Sequence, residues 1–127
     1  MLALVVTLVV GAPSSAAAKN KPLATIALSI QVVLEDGKTV VSDKWMREQV
    51  SETNRLMNPH GLSLKTLRTT KLPAKLAQLD TRADRDGLAT RQQQHVINVY
   101  YVRKLRDVDK PKRFIQGVHW RKTSKLA

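Results

Sequence analysis

Cysteine is absent from the 127-residue sequence, so neither a disulfide nor a thiolate metal site can form. Aromatic residues are few: Trp45, Tyr100, Tyr101, Phe114 and Trp120. The stacking platforms that single-strand nucleic-acid binders use are therefore sparse. Acidic residues are scarce as well, 10 Asp and Glu against 22 Lys and Arg. No uncharged apolar run reaches the ~20 residues needed to cross a bilayer, so no stable membrane span is expected. A Gly-rich phosphate loop, a Ser nucleophile elbow and a paired-carboxylate signature are all missing.

What is present begins with an export signal. Leu2 to Val10 is apolar and uncharged, Gly11-Ala12-Pro13 breaks any helix, and Ala16 and Ala18 occupy the A-x-A positions that signal peptidase accepts. Cleavage before Lys19 divides the chain into a signal peptide, 1–18, and a mature domain, 19–127, bound for the periplasm or the medium. No Lys or Arg precedes the apolar run. That departure leaves open a start upstream of Met1, or a short anchor or buried strand in place of a leader.

Every charged residue falls within 19–127, which carries the full +12. Such a charge suits anionic envelope polymers or nucleic acid. The cations are spread out, however, with local density at Arg103-Lys104-Arg106, Lys110-Lys112-Arg113 and Arg121-Lys122-Lys125. A specific nucleic-acid partner is not expected.

Hydrophobic periodicity predicts an α/β fold. Ala24–Leu34 reads as a strand with Ile26, Leu28, Ile30 and Val32 on one face. Glu35-Asp36-Gly37-Lys38 reads as a turn. Ser42 is a good N-cap for a helix over Asp43–Met57, on which Met46, Val50, Thr53 and Met57 stack, and Asn58-Pro59-His60-Gly61 stops it. Leu62, Leu64, Thr66 and Arg68 alternate as a second strand, completing a βαβ unit with parallel strands. Thr81 caps a short helix from Arg82 to about Arg91. Val96–Val102, nearly all apolar, reads as a central strand buried on both faces. Gly117–Arg121 reads as a short edge strand. The expected result is a mixed sheet of about four strands whose helices are too few to cover it, as in an incomplete domain.

Three segments carry a resemblance: WMREQVSETNRLMNPHGLSL, LDTRADRDGLA with VINVYYV, and LRDVD with GVHWR. Together, over roughly 41–121, they resemble the N-terminal part of secreted bacterial zinc metalloproteases of the zincin class, in its metzincin-like branch. The resemblance implies a zincin-like α/β scaffold, peptide-bond hydrolysis in intact relatives, and a peptide or protein substrate laid along the edge strand Gly117-Val118-His119-Trp120. It also implies zinc, held by an H-E-x-x-H helix whose Glu activates the bound water. That motif is absent, since His60, His95 and His119 are far apart and none is followed by Glu. No catalytic or metal-ligating residue is therefore assigned, and zinc is expected only in a full-length relative. A truncated, inactive portion of such an enzyme is the first expectation; a small basic exported binding module is the alternative.

The remaining candidates have plainer readings. His60 belongs to a turn and His95 borders a strand. Asp80, Asp84 and Asp86 hint at a calcium loop, but Arg82 and Arg85 interleave and no Glu completes it, so salt bridges are expected. Asp107 and Asp109 read as parts of a charged surface loop.

Overall fold

The computed structural model describes residues 23–119. The expected signal peptide and Trp120 lie outside them. A 12-residue strand, β1 (Ala24–Glu35), forms the centre of the sheet. Its six consecutive residues from Leu28 to Val33 are all buried, the signature of a strand covered on both faces. A two-residue loop follows, with Asp36 and Gly37 at φ 51° and 75°, the type I′ geometry that matches strand twist. It returns the chain as β2 (Lys38–Thr39), antiparallel to Leu34–Glu35.

Helix α1 (Asp43–Met57) occupies the expected span. The Ser42 hydroxyl accepts the Trp45 N–H at 3.1 Å, satisfying one of the orphan donors at the helix start. Pro59 and the left-handed Gly61, φ 79°, end it. The Gly61 carbonyl then accepts the Ala24 N–H at 2.8 Å, tying the helix exit to the start of β1.

β3 (Leu62–Leu72) runs parallel to β1 from Ala24↔Leu62 to Val33↔Leu72. A bulge at Leu67 shifts the register, so Leu28 faces Thr66 while Ser29 faces Arg68. The simple alternation expected through Arg68 is thereby broken, and Arg68 points to the opposite face from Leu64. β5 (Ile97–Tyr101) pairs with the other side of β1, also in parallel. The sheet is thus four-stranded and mixed, with an α/β architecture as expected.

One prediction is overturned: β5 is not the central strand. It pairs only with β1 among the described residues, and Ile97 is 36% exposed. The apolar run misleads because tyrosine has a polar tip that need not be buried. Tyr100 sends its hydroxyl to the Leu88 carbonyl at 3.3 Å. β1, despite Ser29 and Gln31, is the central strand: β3 pairs with one side of it and β5 with the other.

α1 covers one face of the sheet. Leu28, Ile30 and Val32 pack there with Val41, Met46 and Tyr101, and Trp45 meets Tyr101 edge-on at 5.6 Å. The other face is closed without a long helix. A parallel ribbon of β4 (Gln78–Leu79) and β6 (Lys104–Leu105), with α2 (Arg82–Gly87) and two 3₁₀ turns, brings Ala77, Leu79, Leu88, Val102 and Leu105 over Val33 and Leu72. Short irregular elements make up the expected shortage of helix. α2 starts at Thr81 as expected, with a reciprocal Thr81–Asp84 capping box, but changes to a 3₁₀ turn after Gly87.

Candidate functional site

The expected edge strand does not form over Gly117–His119, which follow an irregular path. The segment before them has already spent its ladder bonds on β6: Ile115 N–H donates to the Leu105 carbonyl at 2.8 Å, and Phe114 bridges Arg106. Beyond that point Val118 packs against the core cluster of Leu79 and Leu105, while His119 is exposed. Side-chain burial, and not a ladder, fixes the path of Gly117–His119.

The loop leading there is held by charge. Asp107, 8% exposed, accepts the N–H groups of Asp109 and Lys110 at 3.0 and 3.3 Å and an Nε–H bond from Arg113 at 3.0 Å. Arg113, then the Asp109 N–H, hold its carboxyl below the usual range. Asp80 is held down likewise by the Gln78 amide and by Arg106, whose Nε lies 2.8 Å away. Arg106 also stacks 4.6 Å above the Phe114 ring. Asp84 accepts from the Asp80 and Thr81 N–H groups, and Arg82 meets Asp109 at 3.1 Å. Asp80, Asp84 and Asp109 are therefore engaged in ion pairs and a cap, while Asp86 makes neither contact among the described residues.

Arg85 was not legible as a core residue. It is 6% exposed, donates Nη2–H to the Arg106 carbonyl at 2.7 Å, and leaves its Nε unpartnered. Burial pushes its guanidinium below the ordinary arginine value.

The three histidines stay apart in the chain's architecture. His60 ends the 3₁₀ turn after α1, and His95 takes a left-handed conformation, φ 62°, before β5. Among the described residues no three His, Asp or Glu side chains gather closely enough to hold a metal ion. No described helix is long and apolar enough to cross a membrane.

Two features emerge that sequence reasoning missed. First, Asn54 on α1 donates Nδ2–H to the Leu64 carbonyl at 2.9 Å and accepts the Leu64 N–H at 2.6 Å, acting as a one-residue strand on the outer side of β3. Second, a groove of about 360 Å³ opens between the N-terminal half of α1 and the C-terminal half of β3. Ile30 and Met46 form its floor, with Asp43, Arg47, Thr66 and Thr69 around it. A strand pattern interrupted by a bulge gives no warning of either. Compared with known proteins, the chain matches no family model, no curated protein and no solved structure.

Proposed function

We propose that this chain is the non-catalytic scaffold portion of an exported zincin-like zinc metallopeptidase, whose intact relatives hydrolyse peptide bonds with a zinc-bound water. The observation that carries this reading is the order of elements. A strand, a helix opening on Trp45-Met46-Arg47-Glu48-Gln49-Val50, a parallel strand and a third parallel strand of sequence INVYY share one sheet. The helix and the INVYY strand are two of the segments on which the resemblance rests, and their place in one α/β sheet supports the reading. The chain supplies the sheet and its covering; the zinc-binding helix lies outside these 127 residues.

The basic-module reading gains less. Lys44, Arg55, Arg82, Arg103, Arg106 and Arg113 are engaged with carboxylates.

Two measurements test the proposal. The coding sequence past Ala127, read in three frames, should contain H-E-x-x-H within about fifty codons, the motif's place on a following helix. The purified chain should neither retain stoichiometric zinc after dialysis nor cleave peptides. Zinc-dependent proteolysis by the 127-residue chain alone would sink the proposal, as would an extended reading frame without the motif. Export predicts that the mature product begins at Lys19.

A further inference from the structure

We infer that the outer edge of β3 is a docking edge for an extended acidic peptide, which adds to the sheet as a further strand. β3 is 11 residues long and pairs only with β1 among the described residues. Its outer side is occupied at one place, where Asn54 takes both backbone groups of Leu64. In a parallel ladder alternate residues turn both groups to the same side. Carried past the bulge by the pairing of Ile30 with Thr69 and Val32 with Lys71, that alternation turns Thr69 and Lys71 outward. An extended chain therefore finds outward backbone donors and acceptors at Thr66, Thr69 and Lys71.

Charge selects the occupant. Lys65 and Arg68 lie on one face of this edge, Lys71 on the other, and Arg47 stands across the groove from Thr66 and Thr69. All four are exposed, and none forms an ion pair within the described residues. Asp43 is the one acid lining the groove. A second copy of the chain is a poor occupant, because antiparallel β3–β3 pairing would lay the stretch carrying Lys65, Arg68 and Lys71 along the same cationic stretch of its copy. An acidic strand meets those cations with opposite charge. Its alternate side chains reach the apolar floor of Ile30 and Met46, and Leu67 is exposed at the bulge on the same edge. The edge is independent of the zincin-like reading and lies on the opposite side of β1 from β5.

The test uses the 127-residue chain and three labelled synthetic peptides: one alternating Glu and Val, the same peptide N-methylated throughout, and one with Lys in place of Glu. Fluorescence anisotropy should show saturable binding of the first, weaker by at least about tenfold for each of the other two, because both ladder bonds and charge are required. Amide shifts on binding should centre on Thr66–Lys71. R68E with K71E, both exposed positions, should weaken binding about tenfold at unchanged circular dichroism. Equal affinity for the N-methylated peptide would reduce the edge to a general anion attractor and overturn the proposal. So would an absence of saturable binding, shifts centred elsewhere, or a concentration-dependent dimer that buries β3. The peptide comparison alone decides the matter if the double variant fails to fold.

Discussion

Replacing Asn54 by alanine removes a single side chain that closes two hydrogen bonds to one residue of a neighbouring element. Its amide holds the Leu64 N–H at 2.6 Å and the Leu64 carbonyl at 2.9 Å, in a half-buried setting. Each such bond contributes about 1 kcal/mol net. Alanine returns up to roughly 0.7 kcal/mol of helix propensity at a mid-helix site. The balance is a loss of about 1.5 kcal/mol, which for a domain of this size lowers Tm by roughly 6–12 °C. With a urea slope of roughly 1–3 kcal/mol/M, the midpoint falls by about 0.5–1.5 M. Asn54→Asp is the informative partner: it keeps an acceptor for the N–H but sets a carboxylate against the Leu64 carbonyl, so it should be no better than alanine. Hydrogen exchange supplies the local readout, because the Leu64 amide should lose protection before its neighbours on the β1 side of β3. An unchanged urea midpoint together with unchanged Leu64 protection would falsify the role given to Asn54.

Other consequences follow from burial, backbone conformation and charge. Met46→Ala empties a 4%-exposed position beneath α1 and should cost roughly 2–5 kcal/mol in a denaturation series; a loss under about 1 kcal/mol would mean that α1 does not seat on the sheet as described. Gly37→Ala forces φ 75° on a residue with a Cβ, with open space around it, so strain alone should lower stability by about 1–2 kcal/mol and a neutral result would contradict the type I′ turn. The carboxyls of Asp107 and Asp80 are depressed on folding, so they contribute stability above the unfolded value of about 4 and lose it as pH falls through their folded values. Asp107→Asn should flatten that acid limb in thermal melts from pH 7 downward; an identical acid slope in the variant would place the linkage elsewhere.

The half of the fold built by local rules was legible in the sequence. The Ser42 cap, the α1 span, the Asp36-Gly37 turn and the Gly61 stop follow from residue types whose conformational preferences act within a few positions. What was not legible depends on distant partners. Val96–Val102 looked central because its composition is apolar, whereas the central place belongs to β1, which pairs on two sides with segments distant in sequence. Gly117–His119 looked like a strand because of local β propensity, but the pairing of this segment with Leu105 and Arg106 stops at Ile115. Arg85 gave no sign of burial, since arginine on a short polar helix is ordinarily solvated. The candidate edge on β3 was hidden by the bulge at Leu67, which moves Arg68 to the other face and cannot be placed from a strand pattern alone.

The distribution of charge then constrains the chemistry these residues can do. Glu35, Glu48, Glu52, Asp80 and Asp109 are in ion pairs, Asp84 closes a capping box, and Asp107 clamps its loop. The other acids are Asp36 in the hairpin turn, Asp43 in the first turn of α1 and Asp86 in α2, three separate elements. A general base needs a carboxylate free to take a proton near a bound substrate, and a metal site needs several donors together. Seven of the described acids are thus engaged, and among the described residues no three His, Asp or Glu side chains gather closely enough to hold a metal ion. Four cations differ: among the described residues Arg47, Lys65, Arg68 and Lys71 form no ion pair, and the outer edge of β3 beside them pairs with no other strand. A fold with seven acids so engaged and these cations exposed at a strand edge is suited to holding an extended acidic chain.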